Sequence, residues 1–375
     1  MREAVAFPAM TTRMRVGLGV VGVAALLGLG ALLVRLGPAA LLSLSLALPA
    51  TEAWVAPGLP QPLRAEITIA RGGRTLAADL YRPPRPRAAL LIVHGLSRAG
   101  RRHPEIVRLA RLISQRGHVV LVPEITGLVQ FVLTGEEVDD IGAALRHLAA
   151  LGHPTGLVGF SFGAGPALLA AADVPGVRVV GSFGGYADLR NVITYVTTGV
   201  HTFQGQRHHQ AQEEYNRWKL LALLSGVVAS VDDRATLGAI ATRRLTNPAD
   251  DTAALDARLG ADGRVVLRLA LNRDERSVAP LVAALSAGTR RTLERLSPLA
   301  VVPRLRGRLL IAHGEADDSI PFTESLRLGE AAGPRARVAI LRTFHHTGPQ
   351  PTWRALTGRV SDGWSLLRLV DELLG

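Results

Sequence analysis

The chain lacks cysteine altogether and has a single lysine, Lys219, among its 43 basic residues. Without cysteine it cannot form disulfide bonds, bind a metal through thiolates or use a cysteine nucleophile. Arginine therefore supplies nearly all of the basic residues behind the formal net charge of +12, and aromatic residues make up only 4% of the chain. Because the arginines are scattered rather than grouped in a stripe with aromatics between them, the charge does not indicate a nucleic-acid partner.

The length of 375 residues allows one large α/β domain with an insertion, or two domains. Changes in composition divide the chain into a membrane anchor at residues 1–50, a linker at 51–63, a core at 64–190, a helical insertion at 191–298 and a second part of the core at 299–375. Pro57, Pro60 and Pro62 predict that the linker is stiff.

An apolar run from Val16 to Val34 predicts a transmembrane helix near the N-terminus. As a helix it would be about 28 Å long, which is close to the hydrocarbon thickness of a bilayer. Arg2, Arg13 and Arg15 precede the run, with only Glu3 opposing them. By the positive-inside rule the N-terminus is expected in the cytoplasm and the folded part of this single-pass protein on the far side.

The competing interpretation of this run is a cleaved signal peptide, whose apolar region is usually about 7 to 15 residues long. Here the run is longer, and apolar residues resume after Arg35, from Leu36 to Ala50, so an uncleaved anchor is favoured. Three placements stay open for this second stretch: it extends the first helix, lies in the membrane interface or forms a hairpin. If it crosses the membrane, the domain faces the cytoplasm instead.

From residue 64 onwards, strand and helix patterns alternate. Arg64 to Ala70 and Thr75 to Tyr81 alternate in polarity and are predicted to form an antiparallel pair at a sheet edge, whereas the uniformly apolar Ala88 to Val93 is typical of a buried parallel strand. Further strands are predicted at His118 to Val122, Gly156 to Phe160, Arg178 to Phe183, Arg308 to Ala312 and Arg337 to Leu341. Amphipathic helices are predicted between them, at Glu136 to Leu151 and Gly163 to Ala172 among others.

This alternation predicts an α/β fold with a mostly parallel sheet and helices on both of its faces. The insertion interrupts it, because residues 191–298 show helical patterns, such as Glu213 to Val228 and Ser277 to Leu296, but no convincing buried strand. We therefore expect a helical cap between the two parts of the core.

The segment Gly159-Phe160-Ser161-Phe162-Gly163 stands between an apolar strand and a helix. A serine on such a sharp strand-to-helix turn exposes its hydroxyl above the sheet, and the flanking glycines leave room for neighbouring backbone. The five-residue pattern alone is weak, but this context makes Ser161 the candidate nucleophile.

A second loop of interest follows the strand Ala88 to Val93, at His94-Gly95-Leu96. Backbone N–H groups of Leu96 and Phe162 are the candidate oxyanion hole, a type of site in which losing one donor typically costs about 100- to 1,000-fold in rate. His94 is interpreted as a histidine that orders its loop, without a role in proton transfer.

An acidic loop follows the strand predicted at Arg308 to Ala312. Within it Asp317 is the first candidate for a catalytic acid and Asp318 is its neighbour; Asp188, just past another strand end, is a backup. The base is expected after the last strand, where His345 and His346 stand side by side. These residues alone leave the choice between the two histidines open.

From residue 64 to residue 375 the chain resembles an α/β-hydrolase, and the order Ser161, Asp317, His346 is the order of nucleophile, acid and base in that family. The pattern from His313 to Asp317, with Pro321 after it, resembles the family's acid loop. The family's base usually precedes a small residue or a loop, which favours His346 over His345.

The stretch from Leu76 to Gly95 resembles the dienelactone-hydrolase-like and acyl-hydrolase branches. The resemblance implies two-step acyl transfer without a cofactor, in which His346, oriented by Asp317, takes the proton of Ser161. It implies a serine hydrolase acting on a carboxylic ester or thioester, either a small molecule or a lipid-like substrate near the membrane. The insertion at 191–298 matches no cap of known substrate, so the substrate cannot be inferred by analogy.

Two other functions are compatible with the same residues. An acyltransferase or a serine peptidase would use the same triad, because the acceptor is determined by the pocket. A catalytically silent domain used for binding is expected to lose at least one triad residue, and here all three positions are filled. The residues do not indicate an oligomeric state.

A group of histidines in the insertion is a possible metal site. His201, His208 and His209 are followed by Glu213 and Glu214. Their spacing matches no common ligand pattern, so they are interpreted as polar surface, and no metal is expected.

Overall fold

The computed structural model describes residues 35–46, 48–55, 58–342, 344–345, 348–349 and 356–375. For the described residues between 343 and 361, only the backbone is described. The predicted transmembrane run from Val16 to Val34 and the predicted base His346 lie outside these residues. Within the described ranges, no helix is both long enough and apolar enough to cross a membrane.

The core is a twisted sheet of eight strands in the order β1-β2-β4-β3-β5-β6-β9-β10. Its strands are β1 Leu63–Arg71, β2 Arg74–Arg82, β3 Ala88–Val93, β4 His118–Pro123, β5 Thr155–Phe160, β6 Val177–Phe183, β9 Arg308–Gly314 and β10 Ala336–Leu341. β2 is antiparallel to both β1 and β4, and every other neighbouring pair is parallel. The mostly parallel sheet predicted from the sequence is therefore confirmed.

Local sequence accounts for the two kinds of strand. β1 and β2 are joined at Gly72 and Gly73, whose φ angles of 50° and 82° are those that a two-residue hairpin turn requires. β3 is buried from Ala89 to Val93 because helices cover both of its faces.

Helices lie on both faces of the sheet, as predicted. One face is covered by α1 (residues 35–46), α3 and α15, and the other by α5, α6, α14 and the insertion. The helices outside the insertion are α2 Glu52–Val55, α3 Pro104–Ser114, α4 Thr126–Gln130, α5 Glu136–Ala149, α6 Ala164–Asp173, α14 Phe322–Ala332 and α15 Leu356–Leu374.

The chain between β6 and β9 contains seven helices in the described structure: α7 Leu189–Thr198, α8 Glu214–Ser225, α9 Val231–Thr246, α10 Ala253–Asp256, α11 Ala261–Leu271, α12 Glu275–Ala284 and α13 Ala287–Arg295. Their apolar side chains continue the core of the sheet's second face. The helical pattern noted at Ser277 to Leu296 is divided between α12 and α13, because the chain leaves the helical conformation at Leu285 and Ser286 caps a new helix by accepting the Thr289 N–H.

The insertion also contains two strands that the sequence did not predict. β7 Val200–Phe203 and β8 Gln206–His209 form an antiparallel ribbon, separate from the main sheet. Its turn, Gln204 and Gly205, has φ angles of 48° and 79°. The helical cap expected from the sequence therefore also contains a small antiparallel ribbon.

Helices α1 and α2 belong to segments predicted as anchor and linker, yet both contact the folded domain. Ala39 and Leu42 of α1 are buried in one apolar cluster with Ala110 and Ile113 of α3. Glu52 of α2 forms ion pairs with two arginines of α3. Packing on the domain therefore begins before residue 64, where the core was predicted to start.

Candidate active site

The sheet topology indicates where a ligand can bind. From β3 the chain crosses to β4 on one side, and from β5 it crosses to β6 on the other. In open parallel sheets, ligands bind outside the carboxyl ends of the strands at such a switch point. The residues that follow β3 and β5 are His94 to Leu96 and Ser161 to Gly163, which are the two loops singled out in the sequence.

Ser161 lies on a sharp turn between a strand and a helix. β5 ends at Phe160, a short 3-10 turn covers Ser161–Gly163, and α6 begins at Ala164. Ser161 has a φ of 51°, in the left-handed region, and is one of three such residues other than glycine in the described structure. Strain of this kind costs roughly 1–3 kcal/mol and is concentrated at functional sites.

Three glycines allow close packing around Ser161, two of them between the two loops and one within the turn itself. A Cβ on Gly163 would lie 2.1 Å from the His94 carbonyl oxygen, and one on Gly159 would lie 2.6 Å from the Ala164 Cα. A Cβ on Gly95 would lie 2.9 Å from the Ser161 Cβ. Only residues without side chains fit this closely, so Gly95 and Gly163 set the distance between Ser161 and the loop after β3, and Gly159 lets the turn close against α6.

His94 orders its own loop. Its Nε2 accepts a hydrogen bond from the Ile125 N–H at 3.2 Å, so its Nδ1 carries the proton and donates to the Gly95 carbonyl oxygen at 2.8 Å. Burial lowers the pKa of His94, which favours this neutral form. The side chain thereby fixes the backbone leading to Leu96, whose N–H, with that of Phe162, is the predicted oxyanion hole.

Asp317 lies in the loop after β9, where the sequence predicted an acid. The carboxylate is buried, and its Oδ1 accepts hydrogen bonds from the Ser319 and Ile320 N–H groups, both at 2.9 Å. Its Oδ2 is 3.4 Å from the His313 Nε2. Gly184, directly after β6, faces the same oxygen, since a Cβ there would lie 3.6 Å from it. The carboxylate is thus held in one orientation at the carboxyl edge of the sheet.

Side chains of the insertion hold the acid loop, which spans residues 316–319. Tyr195 donates its hydroxyl to the Asp317 carbonyl oxygen at 2.5 Å, and Asn216 donates to that of Asp318 at 3.0 Å. The loop has two further polar contacts, from the Gln210 amide to the Ala316 carbonyl oxygen at 3.2 Å and from the Lys219 ammonium to the Ser319 hydroxyl at 3.1 Å. None of these residues could be assigned to the acid from the sequence, because nothing in their spacing links them to a loop about a hundred residues away.

The two other candidate acids have different surroundings. Asp318 is half-buried, and its Oδ1 accepts a hydrogen bond from the Ser319 hydroxyl at 3.2 Å. Asp188 is the N-cap of α7, where it accepts the Arg190 N–H and pairs with the Arg190 guanidinium at 2.7 Å. These contacts occupy Asp188 at a helix start, and they favour Asp317 among the three.

The histidines follow β10 as predicted. His345 is part of a two-residue strand, β11 Phe344–His345, which pairs antiparallel with β12 Gly348–Pro349. His346, in the connection between these strands, lies outside the described residues. The choice of His346 over His345 stays a prediction.

The histidines of the insertion lie in the ribbon itself, and His201 is buried, so the prediction that it belongs to the polar surface is wrong. The rings of His201 and His208 stack with centroids 4.9 Å apart, and burial lowers the pKa of His201 to about 4. Nowhere in the described part of the chain do three or more histidine, aspartate or glutamate side chains converge as a metal site would require.

No protein-family model matches the chain, and no curated protein matches it. Several solved structures are similar to it in fold. An acylaminoacyl peptidase of Pyrococcus horikoshii is 12% identical, with a TM-score of 0.47, and the match covers 84% of this chain and 41% of the peptidase, so this chain spans about two fifths of that protein.

An esterase domain from a Rhodothermus marinus protein is 18% identical, with a TM-score of 0.45 over 81% of this chain and 98% of the domain. A dienelactone hydrolase from Anabaena variabilis is 16% identical, with a TM-score of 0.44 over 81% of this chain and 97% of the hydrolase. At these scores the similarity carries no conclusion about activity. The mostly parallel sheet with helices on both faces fits an α/β-hydrolase fold.

Proposed function

We propose that the protein is a serine hydrolase that cleaves a carboxylic ester or thioester, with Ser161 as nucleophile, Asp317 as acid and His346 as base. The observation that carries the proposal is the strained conformation of Ser161 at the switch point of the sheet, with Gly95 packed against it. Such a turn exposes a hydroxyl above the sheet, where neighbouring backbone N–H groups can stabilise an oxyanion.

The reaction has two steps. His346 takes the proton of the Ser161 hydroxyl as the oxygen bonds to the substrate carbonyl carbon, and the negative charge on the carbonyl oxygen is stabilised by the Leu96 and Phe162 N–H groups. When the tetrahedral intermediate collapses, the bond to the leaving group breaks and the imidazolium gives that group its proton. Water then repeats the sequence on the acyl-enzyme and releases the carboxylic acid.

The ordered carboxylate of Asp317 supports its role in this scheme. A triad acid orients the histidine and stabilises the imidazolium without taking its proton. This role requires a carboxylate that does not rotate, and the two backbone N–H groups on its Oδ1 meet that requirement. The other oxygen, Oδ2, lies next to Gly184, the residue directly after β6.

A fluorophosphonate probe tests the nucleophile. We expect the probe to label the purified protein and the Ser161→Ala variant to lose labelling while its thermal unfolding stays nearly unchanged. Ser361, an exposed serine on α15, provides the matched control Ser361→Ala, which should be labelled like the parent protein. Labelling that survives Ser161→Ala would refute the assignment.

The base is tested by comparing two adjacent substitutions. His346→Ala should slow labelling far more than His345→Ala, because only the base accepts the serine proton. The reverse ranking would move the role to His345. A panel of esters, thioesters and amides of different chain lengths then separates ester hydrolysis from the peptidase and acyltransferase alternatives.

We also propose that the apolar run from Val16 to Val34 attaches the protein to a membrane, with the domain on the side opposite the cytoplasmic N-terminus. The length of the run and the three arginines before it support this placement. Fractionation of cells that express the intact chain tests it: recovery of unprocessed protein in the soluble fraction would contradict it.

A further inference from the structure

The two sides of α1 differ in what they contact. Ala39 and Leu42 face inward and are buried, in one apolar cluster with Ala110 of α3 and Val370 of α15. Ser45, also buried, donates its hydroxyl to the Leu41 carbonyl oxygen of the same helix at 2.8 Å. The inner side of α1 is therefore part of the folded domain.

Polar contacts fix the segment from α1 to α2 on α3. Arg116 donates to the Pro38 carbonyl oxygen at 3.1 Å, and Arg108 donates to that of Ser45. The Glu52 carboxylate pairs with Arg108 and with Arg111, the latter at 2.6 Å. Contacts at the start, middle and end of the segment keep it from moving away from the domain as a flexible linker would.

The outer side of the same segment is apolar and exposed. Leu41, Leu44 and Leu48 follow one another at spacings of three and four residues, and they are 40%, 41% and 55% exposed; Trp54 is 88% exposed. Four of the eleven large apolar side chains that are exposed in the described structure thus fall within these fourteen residues. A surface helix of a soluble domain normally presents polar residues outward, so this side is suited to an apolar partner.

The position of this face in the chain indicates which partner. Leu41 follows Arg35 by six residues, about 9 Å of helix, and Arg35 directly follows the apolar run that ends at Val34. If that run spans a bilayer, the outer face of α1 lies beside the bilayer surface. Trp54 has the side chain that is enriched where hydrocarbon meets water.

We propose that Leu41, Leu44, Leu48 and Trp54 lie in the interfacial region of a lipid bilayer and hold the hydrolase domain against the membrane surface. The proposal deepens the proposed membrane attachment and rests on it. It assigns the second apolar stretch, Leu36 to Ala50, to the membrane interface instead of a second crossing. The domain then lies on the side of the membrane opposite the N-terminus, as expected for a single membrane crossing.

Single-cysteine variants test the proposal, because the chain has no cysteine of its own and each variant accepts one label. Leu44→Cys and Leu48→Cys are labelled with an environment-sensitive fluorophore in the full chain, reconstituted into phosphatidylcholine vesicles. Leu151→Cys is the matched control, since Leu151 is 36% exposed and follows α5 on the opposite face of the sheet. We expect blue-shifted emission at positions 44 and 48, and quenching by spin-labelled lipid several-fold stronger than at position 151.

Each result supports or overturns the proposal. Equal lipid quenching at positions 44 and 151 overturns it. The proposal is also overturned if the label at position 44 is protected from aqueous iodide but is not quenched by spin-labelled lipid. That result would show that protein covers this face, either the N-terminal segment or a second copy of the chain. A chain that does not float with the vesicles refutes both the attachment and the interface. Fluorophosphonate labelling of Ser161 in the same samples reports on the hydrolase separately.

Discussion

The substitution Gly95→Ala tests whether the contact between the two loops positions the catalytic groups. The added Cβ would lie 2.9 Å from the Ser161 Cβ and 3.2 Å from the Phe160 carbonyl oxygen. Since carbon atoms pack best at about 3.5–4.0 Å, one side has to move by roughly 0.6–1.1 Å. The turn of Ser161 has little room, because Gly159 and Gly163 already pack against backbone. We expect the loop after β3 to move instead.

The size of the effect follows from this displacement. Movement of about 1 Å at a catalytic centre can cost about 100-fold in rate, and the loop that moves carries the Leu96 N–H of the proposed oxyanion hole. Overpacking of this kind typically costs about 1–3 kcal/mol in the free energy of unfolding. Gly95→Ala should therefore slow fluorophosphonate labelling of Ser161 by about 100-fold in a protein that still folds.

The assay compares labelling rate constants with urea unfolding for two glycine variants. Gly238 lies within α9, and a Cβ there would meet nothing within 4 Å. Gly238→Ala should keep the parent labelling rate and raise stability by about 0.5–1 kcal/mol, as the same change does elsewhere in helices. A Gly95→Ala protein that is labelled as fast as the parent would refute the argument from the loop contact.

Two further predictions concern the acid loop and the pH dependence of stability. Tyr195→Phe removes the donor to the Asp317 carbonyl oxygen and should cost about 1–3 kcal/mol of stability and slow labelling, whereas Tyr215→Phe, at a half-exposed ring, should do neither. Burial lowers the pKa of His118 to about 4 from 6.5, so the unfolded chain binds more protons between these values. The contribution of His118 to the free energy of unfolding should therefore be fully present above pH 6.5 and fall by up to about 3 kcal/mol towards pH 4. Urea titrations of the His118→Gln variant should show a weaker decline with falling pH.

The strands that could be predicted from the sequence are those whose burial is visible in their own apolar residues. β3 was predicted at its observed bounds, because a strand covered on both faces must be apolar throughout. The ribbon of β7 and β8 was missed because its residues are mostly polar and partly exposed. Its turn, Gln204-Gly205, lacks the Asn-Gly or Asp-Gly pair that usually marks a hairpin.

In the candidate site, too, features set by adjacent residues could be predicted, whereas features set by residues far away in the sequence could not. Ser161 could be identified as the candidate nucleophile because the strand, the turn and the helix around it are adjacent in sequence. The three carboxylates could not be ranked with certainty, because their partners come from elsewhere or from unforeseen caps: Asp188 is occupied as the N-cap of α7, whereas Asp317 is held by backbone N–H groups. The sequence left the placement of Leu36 to Ala50 open as well, since a buried leucine such as Leu42 and an exposed one such as Leu44 look alike in sequence.

The hydrogen bonds from the insertion to the acid loop have a consequence for redesign. In many enzymes a cap can be exchanged to change which substrates enter while the reacting groups stay as they were. Here Tyr195, Gln210 and Asn216 of the insertion donate to the acid loop, so a chimera that receives another cap would also lose three hydrogen bonds that hold this loop, one of them to Asp317 itself. If Asp317 is the acid, as proposed, selectivity and turnover are inherited together, and a successful graft has to bring equivalent donors with it.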